Sequence, residues 1–141
     1  MTLPVSTEVR LGNLSDQATI AEIDEFGGDR LAEIEAKCLF VATHQGVIVG
    51  YASYEPRGLL GQPLLTYLCV SKQHRRQGVA TSLVRHVQSV AKGRKLISST
   101  EDWCVGTQRI FERLGWAPVG TIAHVNKDGS TELFYAVAID A

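Results

Sequence analysis

The residues best suited to chemistry form a short basic segment between an apolar strand candidate and a helix. Lys72, Arg75 and Arg76 supply cationic side chains, and Gly78 lies in the first turn of the helix. Unpaired N–H groups and the helix dipole attract anions to such a helix start, and a residue without a Cβ lets a phosphate approach the backbone. The segment predicts a site for a phosphorylated ligand. The plain alternative is a solvated basic loop that caps a helix.

Two well-known phosphate-binding loops are absent from the sequence. No GxxxxGK[ST] pattern occurs, and no GxGxxG follows the first strand, which excludes a nucleoside-triphosphate P-loop and a dinucleotide fingerprint. The three cysteines, Cys38, Cys69 and Cys104, are widely spaced and form no CxxC pair. We therefore expect neither a disulfide framework nor a metal site.

The elements that must position the basic segment follow from hydrophobic periodicity and turn residues. Apolar residues from Ala80 to Ala91 recur at i, i+3, i+4, i+7 and i+11, which predicts a helix directly after the segment. Leu64–Val70 is a strand candidate before it, and Cys38–Thr43 and Val47–Tyr54 form a candidate hairpin. The other predicted elements are a strand at Val9–Leu11, two helices within Asp16–Ala36, a strand at Leu96–Ser99, a helix at Val105–Leu114, and strands at Trp116–Val125 and Thr131–Ile139.

The resulting order, β-α-α-β-β-β-α-β-α-β-β, predicts an α/β (α+β) fold in which a mixed sheet carries helices on both faces. Pro56, Gly58 and Gly61 predict a loop between the hairpin and the next strand. At 141 residues, the chain is expected to form one domain over positions 1–141.

Net charge and the lengths of the apolar stretches argue against two classes of partner, nucleic acids and membranes. A net charge of −1 gives no global positive field, so no nucleic acid is expected. The longest apolar stretches, Cys38–Ala42 and Leu64–Val70, fall far short of the roughly 20 residues that cross a bilayer, so no membrane association is expected. The start of the chain lacks a signal-peptide pattern, and we expect a cytoplasmic protein.

Several segments together resemble one family. Arg75–Ala80 resembles the [QR]-x-x-G-x-[GA] acetyl-CoA-binding motif of the GCN5-related N-acetyltransferases, the GNAT superfamily. Tyr67–Val70 and Thr81–Val90 are similar to the family's strand beside pantetheine and helix behind the pyrophosphate. Val49–Ala52 is similar to its "xIVGxA" pattern, and Ile110–Trp116 to its "LYEKLGF" segment. The resemblance covers nearly the whole chain in family order.

The resemblance implies a GNAT-like mixed, mostly antiparallel central sheet of about six or seven strands with helices on both faces. It also implies direct transfer of the acetyl group of acetyl-CoA to a primary amine of a small molecule or peptide. Backbone groups of Leu68 and Val70 would bind pantetheine, and amides of Arg76–Ala80 the pyrophosphate. The full set of implied cofactor-binding residues is Leu68, Cys69, Val70, Arg75, Arg76, Gln77, Gly78, Val79, Ala80, Thr81 and Cys104. A homodimer is a further implication, with Thr131–Ile139 as a candidate interface.

The sequence departs from the family at the positions that usually handle protons. Phe111 stands where many relatives carry a tyrosine acid. In addition, Cys104 stands where an asparagine that contacts the pantetheine is common. Thr66 and Tyr67 occupy the neighbourhood of a frequent glutamate base. We expect Phe111 to pack in the core. Glu101 is the candidate base, and Tyr67 is either the acid that protonates the thiolate or a packing residue. Asp102 is either a second base or the N-cap of the next helix.

Other assignments stay open. A thiol at a helix N-terminus can act as a nucleophile. For Cys104 this role would need a histidine partner, either His124 or His44. The alternative is that Cys104 is an inert, buried cysteine. A non-catalytic acyl-CoA-binding module would also fit the missing acid and base. Acetylation of aminoacyl-tRNA is a third possibility, which the net charge of −1 does not favour.

The family's acceptor pocket implies roles for more variable segments. It would be shaped by helices within Asp16–Ala36, the Glu55–Pro63 loop and the last hairpin, where His124 and Tyr135 are candidate lining residues. Acidic residues crowd the helical segment and either attract a cationic substrate or form a solvated helix face. They are Glu22, Asp24, Glu25, Asp29 and Glu33.

Overall fold

The computed structural model describes residues 6–140, so the first five residues and the last residue of the predicted 1–141 domain lie outside it. The strands are β1 (Glu8–Leu11), β2 (Leu39–His44), β3 (Val47–Leu59), β4 (Gln62–Val70), β5 (Lys95–Glu101), β6 (Ala117–Ile122) and β7 (Glu132–Ala138). The α-helices are α1 (Gln17–Ile23), α2 (Arg30–Glu35), α3 (Val79–Val90) and α4 (Val105–Arg113), with short 3-10 turns at Leu14–Asp16 and Lys72–His74. This order confirms the predicted one.

The strands form a seven-stranded sheet in the order β1-β2-β3-β4-β5-β7-β6. β1–β2, β2–β3, β5–β7 and β6–β7 pair antiparallel. β4 and β5 pair parallel, with Leu64 opposite Ile97 and Leu65 opposite Ser98. The mixed, mostly antiparallel sheet expected from the sequence is therefore confirmed.

Local capping signals correctly located the helix ends. The Asn13 side chain and Asp16 form a capping box at the turn that leads into α1. The Asp29 carboxylate accepts a hydrogen bond from the Ala32 N–H at 3.1 Å and starts α2. Gly115 has φ +81° just after α4, a left-handed conformation that glycine adopts without strain.

The loop predicted from Pro56, Gly58 and Gly61 is wrong. β3 continues to Leu59, turns at Leu60 and Gly61, and returns as β4 from Gln62, so these residues belong to a hairpin. Gly58 serves close packing here, because a Cβ on it would lie 2.6 Å from Leu64 Cβ. A glycine in a strand can mark such a close approach as well as a turn.

The described residues divide into two compact units, one holding the chain up to Tyr54 with Tyr67–Val90, the other Glu55–Thr66 with the chain from Ala91. In the first unit, α1 and α2 pack on one face of the sheet in a cluster of Ile20, Ile34, Leu39, Val41, Tyr51 and Cys69. α3 lies on the opposite face, where His86 contacts Phe40, since neighbouring strand residues face opposite sides. Helices thus cover both faces.

The core of the second unit is built around Phe111, whose ring lies 4.7 Å from that of Trp116 and 5.3 Å from that of Tyr135 between centroids. Phe111 is 1% exposed, which confirms that it packs in the core. β7 is paired on one edge with β5 and on the other with β6. A second copy therefore cannot extend the sheet by pairing with β7. Within residues 6–140, no helix is long and apolar enough to cross a membrane.

α3 packs close against the sheet at Gly50. A Cβ at this position would lie 2.7 Å from the carbonyl oxygen of Cys69 and 3.1 Å from Val79 Cγ1. Val79, Leu83, Val84 and Val87 are all buried along the same side of α3. The absence of a side chain at Gly50 therefore determines how near the start of α3 lies to β3.

Gly50→Ala is expected to lower the free energy of unfolding by about 1–3 kcal/mol, because the added methyl group meets backbone at one of its contacts. Urea denaturation followed by circular dichroism measures the change. Gly27→Ala is the matched control: nothing lies within 4 Å of its Cβ position, and we expect a change below about 0.5 kcal/mol. Equal stability of the two variants would contradict the close packing of α3.

Candidate functional site

The basic segment forms a bend between β4 and α3 in the first unit. It contains the 3-10 turn Lys72–His74 and two residues with positive φ, Arg76 at +63° and Gly78 at +83°. The Ser82 N–H bonds to the Gly78 carbonyl at 3.0 Å, so the N–H groups of the preceding helical residues belong to the unpaired first turn. These residues are Val79, Ala80 and Thr81.

The space beside Gly78 is open. No heavy atom lies within 4 Å of the position that its Cβ would occupy. Lys72, Arg75, Arg76 and Gln77 are exposed around it. The bend therefore presents backbone donors, positive charge and room for a phosphate group in one place.

The end of β4 carries backbone groups suited to a second part of an extended ligand. The Ser71 N–H donates to the Val49 carbonyl at 2.8 Å, so Ser71 points towards β3. Backbone groups alternate along a strand, so those of Leu68 and Val70 point to the opposite edge of β4. The Val70 carbonyl accepts a hydrogen bond from Arg75 Nε at 3.3 Å. Cys69, in contrast, has a buried side chain that donates to the Ile23 carbonyl at 3.3 Å.

Arg75 forms an ion pair that the sequence did not indicate. Its Nη2 lies 2.9 Å from Glu25 Oε1, and both side chains are about half exposed. Four of the five acidic residues near α1 and α2 likewise have structural partners: Asp24 and Glu33 bind Arg30, Glu25 binds Arg75, and Asp29 caps α2. Glu22, Glu25 and Asp29 are exposed, which agrees with a solvated helix face, whereas Asp24 and Glu33 are half-buried beside Arg30.

Tyr67, the candidate acid, is held by a buried arginine. The guanidinium carbon of Arg30 lies 4.0 Å from the centroid of the Tyr67 ring, and the Phe26 ring lies 5.7 Å from it. A Cβ on Gly28 would lie 2.9 Å from the Tyr67 hydroxyl oxygen, which places that hydroxyl beside the α1–α2 connection. Tyr67 and Cys69 both contact this side of the sheet, as their spacing predicted.

Arg30 is a central residue of this side that sequence reasoning missed. Its side chain is 7% exposed and donates to the Tyr51 hydroxyl at 2.7 Å and to the Gly27 carbonyl at 2.5 Å. Its Nε lies 3.3 Å from Glu33 Oε1 and 3.7 Å from Asp24 Oδ2. Burial raises the pKa of Tyr51, and the hydrogen bond to Asp24 raises it further. Burial also raises the pKa of Glu33, against the opposing effect of Arg30.

Glu101, the candidate base, is the last residue of β5 and lies directly opposite Glu132 of β7. Glu132 is itself anchored, since it accepts hydrogen bonds from Ser99 Oγ at 2.7 Å and Asn126 Nδ2 at 3.0 Å. Glu132 was not predicted, because nothing local in the sequence aligns it with Glu101. Glu101 and Glu132, both half-buried, thus occupy facing positions on neighbouring strands of the second unit.

Asp102 does not cap the next helix, contrary to the N-cap assignment. The N-cap residue of α4 is Cys104, and Asp102 is exposed. The Gln108 side chain instead donates to the Asp102 carbonyl at 3.0 Å. Asp102 thus shapes the start of α4 through its backbone.

Cys104 lies at the start of α4, as predicted, and its surroundings raise the pKa of its thiol. Burial is the largest cause that raises its pKa, and Glu101 and Glu132 raise it further, while a hydrogen bond with Thr100 lowers it. Neither candidate histidine bonds to it: His124 Nδ1 contacts the Gly129 carbonyl at 3.2 Å, and His44 Nε2 contacts Thr7 Oγ1 at 2.9 Å. The alternative of an activated nucleophile is not supported. Cys104 is half-buried, whereas the inert alternative expected a fully buried cysteine.

The two remaining candidates for the acceptor pocket lie in different environments. Tyr135 is 5% exposed and stacks on Phe111, so its ring belongs to the core and does not line an open pocket. His124 is exposed in the turn after β6, at φ +59°. In the part of the chain that the structure describes, no group of three or more metal-ligating side chains occurs.

Comparison with known protein families identifies the family to which the chain belongs. Residues 35–118 match the family model described as "Acetyltransferase (GNAT) domain", which is more than half of the chain. The chain therefore belongs to the GNAT acetyltransferase family. A search of curated proteins gave no match.

Solved structures show the same fold. A GNAT-family acetyltransferase from Bacillus cereus ATCC 10987 is 22% identical, with 96% of this chain and 99% of that chain covered and a TM-score of 0.87. The putative acetyltransferase yncA from Salmonella typhimurium, solved with its cofactor acetyl-CoA, is 20% identical over 95% and 94% of the two chains, with a TM-score of 0.80. A ribosomal-protein-alanine N-acetyltransferase from Brucella melitensis is 23% identical over 93% and 99%, with a TM-score of 0.79.

Alkylation of Cys104 by iodoacetamide is expected to reach half its maximal rate at a pH above that of an ordinary thiol, about 8.5. A raised pKa keeps the sulfur protonated at neutral pH, so the rate should increase only as pH passes the raised value. Mass spectrometry of the labelled peptide measures this profile. The urea-unfolded chain is the matched control, and a folded midpoint below the unfolded one would restore the nucleophile assignment.

Proposed function

We propose that this chain is an acetyl-CoA-dependent N-acetyltransferase that transfers the acetyl group directly to a primary amine of a small molecule or peptide. The observation that carries the proposal is the bend before α3. The GNAT motif Arg75–Ala80 there combines unpaired N–H groups, exposed cations and open space at Gly78. We further propose that residues 1–141 act as one GNAT domain.

The residues present fit acetyl-CoA. Amides of Arg76–Ala80 would bind the pyrophosphate, with Arg75, Gln77 and Thr81 around it. Backbone groups of Leu68 and Val70, which point away from β3, would bind the pantetheine amides. Of the other proposed cofactor-binding residues, Cys69 would contribute least, because its side chain is buried against α1 and its backbone groups point towards β3, and Cys104 would contribute from the start of α4. Bound acetyl-CoA supplies an activated thioester.

The acceptor amine must lose a proton before it can attack. An amine with a pKa near 10.4 is neutral in only about one molecule in a thousand at pH 7.4, so a base accelerates the reaction. We propose Glu101 as that base, acting through a water, with Glu132 beside it as a second negative charge that favours a cationic acceptor. We propose Tyr67 as the proton donor to the leaving thiolate. That step needs little help, since a thiol pKa is about 8.5.

The proposed acceptor class rests on chemistry and on the names of similar proteins. One such protein is a ribosomal-protein-alanine N-acetyltransferase from Escherichia coli, and another is Arabidopsis thaliana NAA60 in complex with a bisubstrate analogue. We propose that this chain likewise acts on a peptide or small-molecule amine, without nucleic acid, metal or membrane.

The three free cysteines and the net charge of −1 are compatible with a cytoplasmic protein. A homodimer would use a surface other than the edges of β7.

One observation favours a second candidate, a non-catalytic acyl-CoA-binding module. Phe111 is fully packed between two aromatic rings and has no proton to donate, so the family's usual acid is replaced by core packing. Direct transfer tolerates this loss, because holding both substrates in reactive geometry supplies much of the acceleration. Turnover separates the two candidates: a module binds acetyl-CoA but acetylates no amine.

Calorimetric titration with acetyl-CoA tests the proposal, with CoA, ATP and NAD as comparators. We expect selective binding of acetyl-CoA and CoA at micromolar affinity. Thiol release in the presence of a panel of amines and peptides then measures turnover. If acetyl-CoA and CoA do not bind, the proposal and its alternative both fail.

Gly78→Val is expected to weaken acetyl-CoA binding at least about 100-fold, because the side chain fills the space proposed for the pyrophosphate. Gly129→Val is the matched control. Gly129 has nearly the same φ, +84°, and equally open surroundings, so backbone strain is similar in both variants. Calorimetry measures the affinities, and thermal melting measures the stabilities. Equal loss of binding in both variants, or none in Gly78→Val, would contradict the assignment of the bend.

A further inference from the structure

The ion pair between Glu25 and Arg75 joins the α1–α2 connection to the bend before α3. Arg75 Nη2 contacts Glu25 Oε1 at 2.9 Å, while Arg75 Nε contacts the Val70 carbonyl at 3.3 Å. Arg75 is the first residue of the GNAT motif, and the proposed function assigns it to the cofactor pyrophosphate. The guanidinium that would bind a phosphate is therefore also bound by a carboxylate of the same chain.

Glu25 is held at this position by its neighbours in sequence. Asp24 accepts hydrogen bonds from the Tyr51 hydroxyl at 2.5 Å and from the Phe26 N–H at 3.1 Å. Two residues after Glu25, the Gly27 carbonyl accepts from Arg30 at 2.5 Å. The backbone on both sides of Glu25 is anchored to buried groups, so its carboxylate stays near Arg75 at little cost in conformational entropy.

We propose that Glu25 competes with the cofactor pyrophosphate for Arg75 and thereby sets the affinity of the site for acetyl-CoA and CoA. This inference rests on the proposed function, because it requires the cofactor phosphates to reach Arg75. Carboxylates and phosphates bind a guanidinium through the same paired N–H geometry, so one displaces the other. The fixed charge of Glu25 also repels a phosphate that binds beside it.

The competition acts on the part of the cofactor that substrate and product share. Acetyl-CoA and CoA carry the same pyrophosphate and differ only at the sulfur, so Glu25 weakens the binding of both equally. Such a residue raises the dissociation constant of the substrate and speeds release of the product. Because Arg75 and Glu25 are both about half exposed, the effect is moderate and decreases with salt.

The test compares wild-type protein with Glu25→Gln by calorimetric titration with acetyl-CoA and, separately, CoA. We expect Glu25→Gln to bind both ligands about three to ten times more tightly, by the same factor for each. The gain should shrink to less than about twofold in 0.5 M NaCl. Glu22→Gln is the matched control: it removes one negative charge from an exposed position on α1, and we expect a change below twofold.

A double-mutant cycle with Arg75→Gln shows whether Glu25 acts through Arg75. In the Arg75→Gln background, Glu25→Gln should change the affinity for acetyl-CoA by less than twofold. Unchanged or weaker binding by Glu25→Gln, or an equal gain without Arg75, would overturn the inference while leaving the proposed function intact. Absence of acetyl-CoA binding in wild type and Glu25→Gln alike would overturn the proposed function, and the inference with it.

Discussion

The close contact between β3 and α3 at Gly50 is the constraint on which the candidate site depends. Since no side chain separates them there, Val79 packs directly beside the sheet and the helix begins immediately after the bend. The unpaired N–H groups of the first turn are then fixed relative to the end of β4. The candidate site is thus built from backbone whose position is determined by core packing, so its donors are arranged before any ligand binds.

Arg30 performs a comparable function on the opposite face of the sheet. A buried guanidinium is expensive to desolvate and is tolerated only with near-complete pairing. Here the Tyr51 hydroxyl, the Gly27 carbonyl, two carboxylates and two aromatic rings surround it. The same contacts hold the α1–α2 connection and the Tyr67 ring against the sheet. Charge inside this unit therefore fixes the position of the α1–α2 connection against the sheet.

The sequence predicted what depends on neighbouring residues and missed what depends on distant ones. Caps at Asn13 and Asp29 and the stripe of α3 are local patterns, and they were predicted correctly. Gly78 was expected in the first turn of α3 and instead lies just before it, at φ +83°. Arg30 and Tyr51, Glu25 and Arg75, and Glu101 and Glu132 each meet only after folding, so no spacing reveals them. The β3–β4 hairpin was predicted as a loop for another reason. Glycine often marks turns, but Gly58 instead allows the two strands to pack closely.

The sheet ends at β6, a strand whose residues are all exposed. A free strand edge is a template for unwanted pairing with other chains, the route by which many sheets aggregate. Pro118 lacks an N–H, and the register with β7 shifts between Pro118 and Gly120. The row of available backbone groups is therefore interrupted near its middle. Although Val119 and Ile122 of β6 are exposed, this interrupted edge is poorly suited to the repeated strand pairing by which a fibril grows in concentrated protein.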